Sequence, residues 1–117
     1  MNREIKFRAW ETRYDKPRMI YSDEFSNETF WAVAEYDCEI MQYTGLKDKN
    51  GKEIYEGDIV KHYDDTLQNN LPWEIKFEIG VINDYGDTML GWNMPPSATH
   101  KYIVIGNIYE NPELLKK

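Results

Sequence analysis

What constrains this chain most is alternation. Over residues 4–10, Ile5, Phe7 and Ala9 fall on one side of an extended strand, and Glu4, Lys6, Arg8 and Trp10 on the other. That is the period-two pattern of a strand with one face buried. The longest such signal runs over residues 73–83, where Trp73, Ile75, Phe77 and Ile79 alternate with Glu74, Lys76 and Glu78. Between these stretches the chain is broken every few residues by groups that turn a backbone. Tyr14-Asp15-Lys16-Pro17-Arg18 predicts a turn, since Pro17 presets its φ and Asp15 can bond nearby backbone. Met19-Ile20-Tyr21 then returns as the second strand of a hairpin. Asn50-Gly51 offers the positive φ angles of a tight two-residue turn. Tyr55-Glu56-Gly57-Asp58 predicts another turn, opening into a strand over residues 59–63. Further strands are expected at 40–43, at 88–94 as partner of 73–83 across the turn Asp84-Tyr85-Gly86-Asp87, and at 102–108 with an interruption at Gly106. Pro95-Pro96 ends the strand before it. Asn111-Pro112-Glu113-Leu114-Leu115 predicts a short terminal helical turn, with Asn111 as cap and Pro112 in the first position.

Residues 22–37 read two ways. Ser26 suits the cap of a helix over 27–35 that places Phe30, Val33 and Ala34 on one side. Thr29-Phe30-Trp31-Ala32-Val33 suits a strand equally well. Six to eight short strands with little helix define a mainly β (β-rich α+β) fold, a small strongly bent sheet or SH3-like barrel with an N-terminal hairpin. The 117 residues support one domain. Within it 64–72 has loop composition.

Charge is unevenly spread. The formal net charge is −7, from 14 basic and 21 acidic groups. Arg3, Lys6, Arg8, Arg13, Lys16 and Arg18 lie within the first 20 residues against three acids. Residues 21–44 hold Asp23, Glu24, Glu28, Glu35, Asp37 and Glu39 with no cation, and residues 63–100 hold six acids against Lys76 alone. Such a surface repels phosphate backbones, so nucleic-acid binding rests on the N-terminal cluster alone. The plainer account of that cluster is a solvated strand face paired with acidic neighbours. The segregation of charge also suggests subunits oriented by opposite potentials.

Catalytic spacing is absent. Cys38 lies between Asp37 and Glu39, which disfavour a thiolate, and as a lone cysteine it permits no internal disulfide. No Gly-x-Ser-x-Gly elbow is present, and Gly80, Gly86 and Gly91 are too far apart for a phosphate cradle. His62 with Asp64 and Asp65, and His100 elsewhere, supply donor types for a zinc or iron site without a ligand spacing. Asp48-Lys49-Asn50-Gly51 fails as a calcium loop, because Leu46 would take the first ligand position. No enzyme, cofactor or metal is therefore expected. No apolar run reaches the roughly 20 residues of a membrane helix, the first residues lack a secretory leader, and a cytoplasmic setting is expected. The 17 aromatics suit a core and a subunit interface. Trp10, Trp31, Tyr36 and Trp92 are the candidate partner-binding residues.

Two blocks are more specific. Met41-Gln42-Tyr43-Thr44-Gly45-Leu46-Lys47-Asp48-Lys49-Asn50-Gly51-Lys52-Glu53-Ile54-Tyr55-Glu56-Gly57-Asp58-Ile59-Val60 resembles the signature block of the YopX family. Val104-Ile105-Gly106-Asn107-Ile108-Tyr109-Glu110-Asn111-Pro112-Glu113-Leu114-Leu115 is similar to that family's closing motif, and Arg3–Trp10 with Met19-Ile20-Tyr21 to its opening. The resemblance implies a single domain over 1–117, with 22–38 and 64–72 as variable segments. It implies a bacteriophage or prophage protein of mainly β fold that forms homo-oligomers in a bacterial host, and it carries no catalytic residue, ligand or cofactor. The expected role is a non-enzymatic accessory module that binds itself and a host or phage protein. The alternatives are an acidic DNA mimic that inhibits a nucleic-acid enzyme, then a nucleic-acid binder.

Overall fold

The structure is a computed structural model and describes residues 5–12, 16–24, 30–31, 38–68, 70–81, 88–94 and 96–116. Among them nine strands follow in chain order: β1 (Phe7–Glu11), β2 (Arg18–Tyr21), β3 (Cys38–Lys47), β4 (Glu53–Tyr55), β5 (Asp58–His62), β6 (Trp73–Glu74), β7 (Phe77–Val81), β8 (Thr88–Trp92) and β9 (Tyr102–Asn107). They form sheets in the orders β2-β1-β3-β4, β6-β5-β9 and β7-β8. The expected class holds: the chain is strand-rich, and the first sheet curls strongly into a half-barrel. Short 3-10 segments occur at Ser22–Glu24, Pro96–Lys101 and Pro112–Leu115. Of the segment with two readings, Phe30 and Trp31 take helical backbone, while 25–29 and 32–37 lie outside the described residues.

The curl has a local cause. The first half of β3 pairs with β1, Arg8 opposite Met41 and Glu11 opposite Cys38. Beyond Tyr43 the register slips before Leu46 meets Ile54 of β4. Gly45 sits in that slip at φ 85°, a left-handed conformation that bends the strand and increases its twist. One ten-residue strand thus serves two neighbours at different angles.

Three expectations are corrected. First, the β3–β4 turn is longer than Asn50-Gly51. Asp48 and Lys52 still pair through Asp48 N–H to Lys52 O at 2.8 Å, and Gly51 N–H donates to Asp48 O at 3.0 Å. Lys49, Asn50 and Gly51 therefore form a three-residue loop, with Gly51 alone at its left-handed position (φ 83°). The Asp48 carboxylate organises the loop, accepting Asn50 and Lys52 N–H through Oδ1 and, across the fold, Val104 N–H through Oδ2. Second, residues 73–83 are not one strand. Asn93 intervenes, its Oδ1 accepting Lys76 N–H and its amide donating to Glu74 O. β6 then stays with β5 and β7 leaves to pair with β8, while Ile75 between them is fully buried. Third, β1 is buried on both faces. Ala9 faces a cluster with Ile20 and Phe30, against which Phe7 and Cys38 pack, and Arg8 on the opposite side is only 3% exposed. The polar face read as solvated is the inside of the half-barrel.

A second core cluster joins the sheets: Ile54, Val60, Ile75 and Met94, with Leu46, Trp73, Tyr102 and Val104 packed around it. Fully burying side chains of this size stabilises by roughly 1.5–3 kcal/mol each. The sheets meet at Gly57, whose N–H donates to Ile75 O and whose carbonyl accepts Ile108 N–H. Its φ is 87°, and a Cβ there would lie 3.0 Å from Met41 Sδ. Hence the Glu56-Gly57 corner admits glycine alone without strain.

Candidate functional site

Arg8 reaches from β1 to the corner between β4 and β5. Its Nη2 donates to Asp58 Oδ1 at 2.8 Å and to Glu56 O at 3.2 Å, and the guanidinium lies 4.8 Å from the centre of the Tyr55 ring. Asp58 Oδ2 accepts Tyr55 N–H at 2.7 Å. Burial pushes the Asp58 carboxyl up; the Arg8 charge and the Tyr55 N–H pull against it. Among the described residues Arg8 Nε has no partner. These groups lie beneath the surface and hold it in shape.

Above them Trp10, next but one to Arg8 along β1, stacks on Tyr109 with ring centres 5.7 Å apart and planes at 19°. Tyr109 is placed by the closing turn. Asn107 Oδ1 accepts the N–H groups of Tyr109 and Glu110, and Asn107 Nδ2 donates to Glu110 Oε1. Ile108 N–H ties the same turn to Gly57 O. Around the pair stand Glu39, opposite Trp10 in the β1–β3 register, Glu56 at the corner, and Glu74 on β6. Burial first, and then these three carboxylates, raise the Tyr109 phenol above its ordinary value, with Arg8 opposing. The result is a half-buried aromatic pair bordered by carboxylates from three separate segments. Such a surface suits contact with a cationic or amphipathic partner. None of the groups named in it pairs a nucleophile with a base.

Tyr55 below is raised too, beyond the usual tyrosine range, by burial and then by Glu53 and Asp23. Both phenols thus hold their protons more tightly folded than unfolded. Unfolding releases protons above the ordinary tyrosine pKa of about 10, so stability is full below pH 10 and falls as pH rises past it. The slope contributed by Tyr55 approaches about 1.4 kcal/mol per pH unit once its unfolded phenol has ionised, and half-buried Tyr109 adds less. Urea midpoints between pH 8 and 11 measure it, and Tyr55→Phe reduces the slope.

Of the four partner-binding candidates, Trp10 and Trp31 lie on opposite sides of the first sheet. Trp10 is in the pair just described. Trp31, 46% exposed, packs edge-on against Phe7 and Phe30, on the opposite side of the first sheet. Trp92 lies on β8 opposite Phe77, and Tyr36 falls outside the described residues. Of the N-terminal cations, Lys6 pairs with Glu53, Arg8 with Asp58 and Arg18 with Glu11, while Arg3 and Arg13 lie outside the described residues. His62 Nδ1 accepts Asp64 N–H, Asp64 caps Thr66, and Asp65 pairs with Lys61 at 2.7 Å. These groups face different partners, and no cluster of three metal-ligating side chains occurs among the described residues. The DNA-mimic alternative needs carboxylates arrayed on one surface. The notable stretches for it are 21–44 and 63–100, of whose acids Glu28, Glu35, Asp37, Asp84 and Asp87 lie outside the described residues. Sequence reasoning passed over Tyr109, Glu39, Glu56 and Glu74, which are far apart in the chain and meet only through strand register.

The chain is a small curled β module that buries the Arg8–Asp58 ion pair. A family model described as YopX protein matches residues 6–116, and the chain belongs to the YopX family. The SPbeta prophage-derived uncharacterized protein YopX of Bacillus subtilis (strain 168) is 39% identical over 74 residues, 56% of this chain and 52% of that protein. The match thus spans about half the length of that curated relative. The crystal structure of protein EF1440 from Enterococcus faecalis is similar with a TM-score of 0.55 and 26% identity, covering 98% of this chain and 100% of that one. The motifs behind the resemblance have structural work here. Gly45 bends β3, Asp48 and Gly51 build the hairpin, Gly57 and Asp58 turn the corner, and Gly106, Asn107 and Asn111 close the last turn.

Proposed function

We propose that this chain is a non-enzymatic, phage- or prophage-encoded contact module that assembles with copies of itself and binds a host or phage protein. The Trp10–Tyr109 stack edged by Glu39, Glu56 and Glu74 carries the reading. Half-buried aromatics held by a rigid frame are what interfaces use as anchors. The prophage origin of the Bacillus subtilis relative supports the setting. In the test, the purified chain is sized by chromatography with light scattering and used as bait in host lysate. The expected result is a mass above that of one chain and a retained protein that Trp10→Ala loses, an anchor truncation costing about 2 kcal/mol or more of binding. A strict monomer that retains nothing overturns the proposal.

A further inference from the structure

The second sheet has two chemically opposite ends. At the Asp58 end of β5 lie Trp10 and Tyr109 with Glu39, Glu56, Glu74 and Glu110, and Arg8, whose charge acts on Tyr109, is buried in its pair with Asp58. At the His62 end the aromatic series continues through Trp73, Tyr102, His62 and Tyr63 in successive ring contacts, and Lys49 Nζ lies 4.9 Å from the Tyr63 ring centre. Tyr63 is 50% exposed, with Leu67 and Leu71 also exposed on the loop that follows. That loop is pinned: Asn70 Oδ1 accepts His62 N–H, and its amide donates to His62 O and Asp64 O. Lys49 and Lys101 are exposed at this end. Lys49 N–H bonds Tyr102 O and Tyr63 N–H bonds Lys101 O, which join their segments. The acids there are already engaged: Asp48 by three backbone N–H groups, Asp64 by Thr66 and Asp65 by Lys61. About 13 Å of strand separates the two ends, four residue steps along β5.

We infer that these ends are complementary docking surfaces, the Lys49–Tyr63–Lys101 end of one copy seating on the Trp10–Tyr109 end of a second copy. This deepens the self-assembly reading above and rests on it. The charge complementarity selects the occupant: lysines and exposed Tyr63, Leu67 and Leu71 meet carboxylates and a half-buried aromatic pair of the same chain. Because the two surfaces differ, the contact is head to tail, and repetition closes a ring or extends a filament.

The test uses two folded variants, Lys49→Glu with Lys101→Glu, and Glu56→Lys with Glu74→Lys, each checked by circular dichroism. Light scattering then gives masses at 50 and 500 mM NaCl. Wild type is expected to self-associate at low salt and roughly tenfold more weakly at high salt, as screening shortens the reach of charge. Each variant alone is expected to be a monomer, since each carries like charge at both ends. An equimolar mixture is expected to associate again, because one variant keeps the native acidic end and the other the native basic end. A two-fold contact between identical patches stops at two copies, so a wild-type mass beyond two copies is what separates the head-to-tail contact from it. If the variants keep the wild-type mass, or the mixture stays monomeric while wild type associates, the head-to-tail contact is overturned and self-assembly stands. Monomeric wild type at low salt overturns both.

Discussion

Asp58→Ala is expected to destabilise the fold by about 3–5 kcal/mol, the range found when one partner of a buried ion pair is removed. That is a large part of the roughly 5–15 kcal/mol that holds a domain folded. Both Asp58 oxygens are engaged, Oδ1 by Arg8 and Oδ2 by Tyr55 N–H. Their loss leaves a guanidinium that is 3% exposed, and whose Nε already has no partner among the described residues, with Glu56 O as its one remaining described hydrogen-bond acceptor. The pair is not thereby a net gain over an apolar substitute, since burial works against the Asp58 charge. The double variant Arg8→Met with Asp58→Asn separates the two effects. It removes both charges while the amide oxygen introduced at position 58 can still accept Tyr55 N–H. It is therefore expected to be more stable than Asp58→Ala, and measured with the single variants Arg8→Met and Asp58→Asn it gives a coupling of roughly 1–3 kcal/mol. Urea unfolding followed by tryptophan fluorescence measures all of these. A cost below about 1 kcal/mol for Asp58→Ala would show that the corner does not depend on this pair.

The second large effect is expected at Gly106. A Cβ there would lie 2.5 Å from Asn111 Oδ1, 2.8 Å from its Cγ and 2.9 Å from its Cβ. The last of these cannot rotate away, so the closing turn must move. Asn111 does not cap the 3-10 turn after it with its side chain, as the sequence suggested; its Oδ1 accepts Asn107 N–H at 3.3 Å instead. Gly106→Ala therefore pushes on the residue that holds Asn107, and through Asn107 on Tyr109. Overpacking of this kind costs about 1–3 kcal/mol. Asn111→Gly removes the obstructing side chain, so Gly106→Ala added to it is expected to cost little beyond the loss of the Asn111 hydrogen bond. Thermal unfolding of the two single variants and the double variant checks this, and strict additivity would count against the steric account.

How much could be read in advance depended on range. Strands β1, β2, β5, β8 and β9 were legible because alternation and turn residues are local signals. The hairpin at Gly51 was legible as a turn but not in its length, since the Asp48 carboxylate that shapes it also bonds Val104, more than fifty residues away. The break after Glu74 was hidden because Trp73, Ile75, Phe77 and Ile79 keep strict alternation. Asn93, not any residue inside the run, divides it. Arg8 looked solvent-facing because a cation on a strand usually is; only the curl of the first sheet brings Asp58 to meet it. For the site, Trp10 was found by residue type alone, whereas its partner Tyr109 and the three surrounding glutamates depend on pairings between distant segments.

The pairing of β5 with β9 has a consequence for how the molecule is made. Residues 58–62 emerge during translation well before 102–107, so β5 waits with one side of its ladder unfilled while the intervening segments appear. Joining such distant strands requires closing a long loop, which slows folding. The nascent chain in that interval offers an unpaired, apolar strand carrying Ile59 and Val60. For this molecule the hazard of misassociation belongs to synthesis, before the closing strand arrives.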